Sequence, residues 1–459
     1  MAYYIESEGE AAVVDPLRET DPYIRMAEAN NAKIKYVFLT HFHADFVSGQ
    51  YDLAKKTGAK IIFGPNAKAE YEIYNGKDGE EFPLGKGKIT LLHTPGHTME
   101  SSSYLITDEN GKTPYVLTGD CLFIGDVGRP DLAVKSDMTQ ADLAGHLFDS
   151  LRNKIMTLPD DIIVYPNHGA GSACGKNMSS ETFDTLGNQK KTNYALRADM
   201  SKEEFIKEVT TGLKQPPQYF PNNVKMNKSI NTSIDEIIHQ GSTPIDAVTF
   251  HEMSQQKDIL VVDTRSKESY TEEGTVPGAW YIGLDGNFAP WVGALIKDIN
   301  QKIIFIAEDE TRVNEIAVRF SRVGYDNTLG YLFGGIKSWI DHGFEVDKIG
   351  SISAQEFAKR LAAGKIEKPV DVRKDSEYQS EHVIGVENFP LDFIHENFAE
   401  INPKAAYVLH CASGYRSLIA ASIFKANGVE HVTDVRGGMK DIKETKAPLS
   451  EYVCPTTLL

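Results

Sequence analysis

Along the first 170 residues, short apolar runs rich in β-branched and aromatic side chains alternate with stretches whose apolar positions recur every three or four residues. Ala2-Tyr-Tyr-Ile-Glu6, Ala12-Val-Val-Asp15, Tyr36-Val-Phe-Leu39, Lys60-Ile-Ile-Phe63, Ile89-Thr-Leu-Leu92, Tyr104-Leu-Ile106, Tyr115-Val-Leu117 and Ile162-Ile-Val-Tyr165 predict strands. Residues 22–32, 48–57 and 139–157 predict helices. Further helical segments run from about 185 to 213, the second opened by the capping box Ser201-Lys-Glu-Glu204. Gln215-Pro-Pro-Gln-Tyr-Phe-Pro221 cannot continue a helix and marks a boundary region. This alternation predicts an α/β scaffold, which builds its site from polar residues at strand ends and loops.

The remainder carries a diverged internal repeat. Val261-Val-Asp-Thr-Arg265 recurs as Pro369-Val-Asp-Val-Arg373, and each is followed by a Gly-containing loop, a second apolar strand and a helix. Ile303-Ile-Phe-Ile306 matches Tyr407-Val-Leu-His410, and Arg312 then aligns with Arg416 without a gap. Each copy spans roughly one hundred residues, a common domain size. The proline- and glycine-poor join near 346–352 suggests that they pack closely.

At 459 residues the chain exceeds what a single core usually supports, and two to four domains are expected. Hydrophobic residues at 41% and charged residues at 25% are ordinary for a globular protein. The 48 basic and 65 acidic residues give a net charge of −17 without a basic stripe, which speaks against nucleic acid and anionic membranes as partners. Four irregularly spaced cysteines do not make a disulfide framework, and no charged-then-apolar leader precedes Ala2. A reducing cytoplasm is the expected compartment. No apolar run approaches the ~18 residues of a membrane helix.

Candidate chemistry gathers at the strand ends. His41 and His43 follow an apolar strand, with Asp45 two residues on, and His97 follows a Pro-Gly turn. Asp120 closes Thr118-Gly-Asp120, and His168 lies in Pro166-Asn-His-Gly169. Imidazole and carboxylate suit zinc or iron, and a convergence of this many ligand-type groups points to a metal centre.

In that order the residues resemble the metallo-β-lactamase superfamily over residues 1 to about 240, with its H-x-H-x-D-H motif, TPGHT-like histidine, bridging aspartate and final histidine. Two departures stand out. The first strand usually found ahead of Tyr3-Tyr4 is missing, and Phe46 stands where dinuclear hydrolases place a second-site histidine. A phenyl ring has no lone pair to give, so a second metal would keep only Asp45, a bridging Asp120 and His168, and one metal is expected. Among its members the chain resembles the mononuclear, persulfide-oxidising ones. That resemblance implies one Fe(II) per chain on His41, His97 and Asp120, with positions left for water, substrate sulfur and O2. It makes His43, Asp45 and His168 groups that orient ligands or move protons. Gly125-Asp-Val-Gly-Arg129-Pro-Asp131-Leu132 resembles the substrate loop of persulfide dioxygenases and glyoxalase II, where Arg129 would grip an anionic thiol carrier or else cap a surface turn. Cys174 and Lys176, just beyond His168, are further substrate-binding candidates, with a small buried cysteine as the alternative at Cys174.

Cys411 follows an apolar strand and precedes Ala412, Ser413, Gly414, Tyr415, Arg416 and a predicted helix from Ser417 to Asn427. Its sulfur thereby meets unpaired amides and the positive end of a helix dipole, and Arg416 adds a fixed charge. With Asp371-Val-Arg373 and Gly437-Gly438, this C-x-x-G-x-R loop resembles an active rhodanese domain. Cysteine phosphatases place one more residue between Cys and Arg, and the shorter loop suits a persulfide. The first repeat has Ala307 at the cysteine position, followed by Glu308, Asp309 and Glu310, which would repel anions. It resembles an inactive rhodanese domain that spaces the other two or recognises a partner.

The expected architecture is α/β: an αββα metallo-β-lactamase-like sandwich over residues 1–243, then rhodanese-like α/β domains over 244–349, inactive, and 350–459, active. The whole resembles bacterial persulfide dioxygenase–rhodanese fusions. That implies oxidation of a low-molecular-weight thiol persulfide by O2 to thiol and sulfite, with Cys411 passing sulfane sulfur to sulfite to give thiosulfate, or the reverse. Thiol persulfide, O2 and sulfite or thiosulfate are the expected partners, with homo-oligomerisation left open. Two rivals stand beside this reading: a zinc-dependent, glyoxalase II-like thioesterase fused to a sulfurtransferase, and a non-catalytic persulfide sensor or sulfur-carrier hub.

Overall fold

The computed structural model describes residues 1–134, 138–176, 178–213 and 215–454. The chain gathers into two compact units: Met1–Ile234 with Arg322–Gly324, and Asp235–Ser321 with the described residues from Tyr325 on.

In the first unit, strands β1 (Tyr3–Ser7), β2 (Glu10–Val14), β3 (Lys33–Phe38), β4 (Lys60–Phe63) and β5 (Tyr74–Asn75) form one sheet in sequence order. A second sheet, ordered β11-β10-β9-β8-β7-β6, holds β6 (Glu81–Leu84), β7 (Gly87–His93), β8 (Ser102–Thr107), β9 (Tyr115–Gly119), β10 (Ile163–Pro166) and β11 (Asp184–Thr185). Strand alternation explains why these runs read as continuously apolar. Ala12, Val14, Phe38 and Ile62 point between the sheets, onto Phe82, Ile89, Leu91, Tyr104 and Leu117. Their neighbours Ala11, Val13, Val37, Ile61 and Phe63 point the other way, onto Tyr23, Ala27 and Leu53 of helices Asp21–Ala29 and Gln50–Thr57. Both faces are buried, so both parities are apolar. On the second sheet Val116 and Val164 meet Ala144, Leu147, Leu186 and Phe205 from helices Gln140–Ser150, Leu186–Thr192 and Lys202–Thr210. The layer order is αββα, as the alternation predicts.

Two local expectations change. The helix predicted over 139–157 runs from Gln140 to Ser150 and then widens into a π turn, Leu151–Ile155. The proline-rich stretch 215–221 ends inside a new helix, Phe220–Lys228, with Pro221 in its first turn, where a missing N–H leaves no bond unmade.

The second unit holds two five-stranded sheets of matching order. The first, β12-β16-β15-β13-β14, uses β12 (Pro244–Ile245), β13 (Ile259–Asp263), β14 (Trp280–Tyr281), β15 (Lys302–Ile306) and β16 (Thr328–Leu332). The second, β17-β21-β20-β18-β19, uses β17 (Gly350–Ile352), β18 (Lys368–Asp371), β19 (Glu387–Asn388), β20 (Ala406–His410) and β21 (His431–Val435). Every pairing within them is parallel. The repeat seen in the sequence is therefore a repeat of topology. At matching places, Asp263 takes Nη2 of Arg265 at 2.7 Å and Asp371 takes Nη2 of Arg373 at 2.6 Å, all four residues buried.

Candidate metal centre and cysteine loop

The ligand-type residues converge because each follows the C-terminal end of a strand: His41 after β3, His97 after β7, Asp120 after β9 and His168 after β10. His41, His97 and Asp120 place one donor atom each within 4.8 Å of one another. His41 Nε2 is 3.9 Å and His97 Nε2 3.4 Å from Asp120 Oδ2. The other carboxylate oxygen, Oδ1, lies 3.5 Å from His168 Nε2, which is 3.6 Å from Asp45 Oδ2. Asp45, His168 and Cys174 form a second convergent set beside the first.

Both rings of the first set are held from behind. His97 Nδ1 faces the Arg129 carbonyl at 2.9 Å, and His41 Nδ1 faces Thr40 Oγ1 at 3.0 Å, leaving each Nε2 toward Asp120. His43 meets the Asp15 carboxylate through Nε2 at 2.9 Å, and its Nδ1 is buried without a partner. Asp15 sits at φ 50 just past β2 and accepts also from Thr40 N, Thr40 Oγ1 and Asn167 Nδ2, at 2.8, 2.8 and 2.7 Å. Asn227 binds the carbonyls of His43 and Phe46, each at 2.8 Å, and so pins the histidine loop. Asp15, Asn167 and Asn227 were not singled out in the sequence. An acid directly before Pro16 at a strand end was the one available signal.

The electrostatics fit a cation. Burial pushes His41 well below the usual imidazole range and His97 and His168 to about 4, so all three rings are neutral with a lone pair to give. Burial, reinforced by Asp45, pushes the Asp120 carboxyl well up, and among the described residues no nitrogen or oxygen donor bonds either of its oxygens. A buried carboxylate without a donor is strongly disfavoured unless a positive charge neutralises it. Asp45 Oδ1 and His168 Nε2 are likewise buried and have no hydrogen-bond partner among the described residues. Phe46 packs its ring on His43 at 4.4 Å and brings no donor.

The two cations expected to grip substrate are engaged within the fold. Arg129 is buried, paired through Nε and Nη2 with Asp131 at 2.6 and 2.7 Å, and also donates to the Ala173 carbonyl. Its backbone carbonyl holds His97, so the 125–132 segment braces the metal-ligand side rather than presenting a free guanidinium. Lys176 Nζ donates to the carbonyls of Glu208 and Thr211 at the end of helix Lys202–Thr210. Cys174 is buried, and burial together with Asp45 and Asp120 pushes its thiol well up.

In the second unit, β20 delivers Cys411 to the start of helix Tyr415–Ala426, with Gly414 at φ 93 making the turn. Cys411 Sγ accepts from Gly414 N at 3.2 Å and faces Ser417 Oγ at 3.5 Å. Met439 N and Lys440 N, on the turn after Gly437-Gly438, donate to the carbonyls of Cys411 and Ala412 at 2.7 and 3.0 Å and back the loop. Arg416, expected to add a fixed charge, does so as part of a two-point ion pair with Glu377 at 2.6 and 2.9 Å, and the sulfur's immediate donors are backbone N–H and hydroxyl groups.

In the first repeat the acidic run is absorbed locally. Glu308 accepts from Ser266 N and Ser269 Oγ at 2.9 and 2.6 Å, Asp309 from Thr311 N at 2.8 Å, and Glu310 from Gly334 N at 2.9 Å. Of these amides only Thr311 N belongs to the loop itself, and Glu308 and Glu310 tie the loop to the neighbouring turns at Ser266 and Gly334.

Comparison with known proteins adds the following. The sequence pattern of the metallo-beta-lactamase superfamily matches residues 1–168, and that of the rhodanese-like domain matches twice, over 246–342 and 353–445. A crystal structure of a metallo-beta-lactamase from Staphylococcus aureus subsp. aureus COL shares 31% identity at a TM-score of 0.61, covering 72% of this chain and 94% of that one. The probable hydroxyacylglutathione hydrolase glo2 of Schizosaccharomyces pombe is 33% identical over 179 residues, 38% of this chain and 64% of that protein. The cytoplasmic hydroxyacylglutathione hydrolase of Arabidopsis thaliana is 32% identical over 165 residues, 36% of this chain and 60% of that protein. This chain thus spans less than two thirds of the length of these two curated relatives. Among the described residues no helix is long and apolar enough to cross a membrane.

Proposed function

The chain belongs to the metallo-β-lactamase superfamily and carries two rhodanese-like domains, and from that premise we propose that it is a non-haem iron persulfide dioxygenase coupled to a rhodanese sulfurtransferase. The observation that carries the proposal is a buried two-histidine, one-carboxylate face in the same chain as a C-x-x-G-x-R cysteine loop, with Phe46 in place of a further nitrogen donor. His41, His97 and Asp120 would hold one Fe(II), and the metal would supply open positions for the persulfide sulfur and O2. The chain's own residues do the rest. Asp15 orients His43, Arg129 orients His97 through its carbonyl, and His168 with Asp45 stands where a proton can be taken up or released. The net change is RSS⁻ + O2 + H2O → RSH + SO3²⁻ + H⁺.

At the second centre the Cys411 thiolate attacks the outer sulfur of a further persulfide and releases the thiolate RS⁻. The resulting cysteine persulfide yields its outer sulfur to sulfite, giving thiosulfate and restoring Cys411. The backbone N–H of Gly414 and the hydroxyl of Ser417 stabilise the sulfur anion in both half-reactions.

A second reading is a zinc-dependent thioesterase fused to the same sulfurtransferase. It is favoured by the likeness to the two hydroxyacylglutathione hydrolases and by the Asp45–His168–Cys174 set beside the first ligand face. Metal analysis joined to oxygen uptake with glutathione persulfide separates the two. One iron per chain and uptake that disappears together with the metal in His41→Ala are expected. Two tightly held zinc ions in protein that hydrolyses a glutathione thioester and consumes no oxygen would give the thioesterase reading. Metal-bound protein active in neither assay would leave the sensor or carrier hub.

A further inference from the structure

The first repeat has lost its nucleophile but kept its loop arginine, and the contacts of that arginine point to what it now does. Arg312 Nη1 bonds Asp285 Oδ1 at 2.8 Å, while its Nε and Nη2 bond Glu315 at 2.8 and 3.2 Å. Glu315 also pairs with Arg319 at 2.7 Å, and Arg319 Nη1 donates to the Leu284 carbonyl at 2.8 Å. Two arginines bridged by one glutamate therefore hold the short segment Gly283-Leu284-Asp285-Gly286 from one side.

From the other side that segment grips the second repeat at its cysteine loop. Tyr415 Oη donates to the Gly283 carbonyl at 2.8 Å. The Tyr415 ring lies so near Gly286 that a Cβ there would sit 2.2 Å from its Cζ, a distance no packed carbon tolerates. Tyr281, at the end of β14, meets the same ring edge-on at 6.2 Å, and its N–H donates to Ser422 Oγ on helix Tyr415–Ala426 at 2.8 Å. Tyr415 lies between Gly414, whose N–H faces the sulfur, and Arg416. A displaced tyrosine would rotate the first turn of the helix and with it the amide aimed at Cys411.

We infer that the first repeat is a positioning partner of the active loop: the Gly283–Gly286 segment, locked by Arg312, fixes Tyr415 and so holds the donors around Cys411 in register. This rests on Cys411 being the sulfur-transfer nucleophile. The arginine that would cradle an anion in an active copy has become a strut for its neighbour. Tyr415 is a positioning residue here, since its hydroxyl is bonded to a carbonyl of the first repeat rather than free for substrate.

The test uses the full-length protein and the variants Gly286→Ala, Tyr415→Phe and Arg312→Gln. Sulfur transfer from thiosulfate to cyanide gives kcat and KM, and peptide mass spectrometry follows iodoacetamide labelling of Cys411 across pH, which reports its thiolate. Gly286→Ala is expected to lower kcat about tenfold or more, because small misplacements of a reacting group are costly, with KM for thiosulfate changing less. Tyr415→Phe and Arg312→Gln should each lower it several-fold, and in all three the labelling midpoint should move to higher pH while the protein stays folded. Wild-type kcat and an unmoved labelling profile in folded Tyr415→Phe and Arg312→Gln would overturn the inference, whether or not Gly286→Ala folds. If wild-type protein transfers no sulfur, the assigned role of Cys411 fails instead, and the labelling profile alone then decides whether the first repeat positions the loop.

Discussion

The two repeats of the second unit share one scaffold and differ in one loop. In both, a buried Asp-x-Arg pair ends the second strand of the repeat, and a neighbouring parallel strand leads into the loop. After β20 the loop turns at Gly414 straight into a helix and brings N–H and hydroxyl groups to a sulfur. After β15 the equivalent loop makes a short 3-10 turn, Glu310–Arg312, in which Asp309 accepts from Thr311 N, while Glu308 and Glu310 accept from the N–H groups of Ser266 and Gly334 outside the loop. The difference teaches that one set of strands can deliver two loops of different charge, one built around a cysteine and the other around Ala307 and three carboxylates. Glu308, Asp309 and Glu310 put three carboxylates where the second repeat has Ala412, Ser413 and Gly414, although the strands that deliver the loop are intact.

Four measurements break or sharpen this contrast. Cys411→Ser should lower sulfur transfer by several orders of magnitude, since a nucleophile has no substitute nearby, while persulfide-dependent oxygen uptake continues. Residual transfer well above the reagent background would show that the first repeat is active after all. Next, Asp371→Asn and Asp263→Asn each break a buried ion pair, and each should cost about 3–5 kcal/mol in denaturant unfolding. A harmless Asp263→Asn would mean that the first scaffold has relaxed along with its loop.

Smaller effects probe the charges. Glu377→Gln should release Arg416 and lower KM for sulfite or thiosulfate about two- to fivefold at low salt, an advantage that added salt removes. Burial opposes the Glu377 carboxylate, but Arg416 outweighs it and holds the group below its usual range. The pairing is thus present throughout the neutral range and is lost only as pH falls through that depressed value, so the advantage should not vary near neutrality. An unchanged KM at low salt would show that Arg416 takes no part in anion capture. The smallest expected effect is none: Ala307→Cys in the Cys411→Ser background should restore no transfer, because the adjacent carboxylates oppose a thiolate and the entry of an anion. Recovery of activity in that double variant would show that the acidic loop still admits anions.

Much of the fold was legible because it is written locally. Strands buried on both faces read as unbroken apolar runs, and ligand-type residues placed directly after strands could be picked out one by one at His41, His97, Asp120 and His168. The cysteine loop was legible for the same reason, its turn, nucleophile and helix being contiguous. What was not legible depends on partners remote in sequence. Asp15 gathers Thr40, His43 and Asn167 through the meeting of two sheets, and its place before Pro16 is all that marks it in the chain. Arg129 and Arg416 look like free charges in one dimension and are paired with Asp131 and Glu377 in three. Lys176 is turned to a helix end for a similar reason, since the carbonyls it satisfies lie more than thirty residues away.

Asn227 gives the first unit an order of assembly. Its amide closes the turn that carries His41 and His43, yet it follows the last ligand-type residues of that unit by some fifty positions. As the chain leaves the ribosome, the histidines, the aspartates and Cys174 all emerge while the turn presenting the first two is still unpinned. The helix Phe220–Lys228 supplies the last of these holds in chain order. An ion that arrives after it has docked meets a turn whose carbonyls at His43 and Phe46 are already taken.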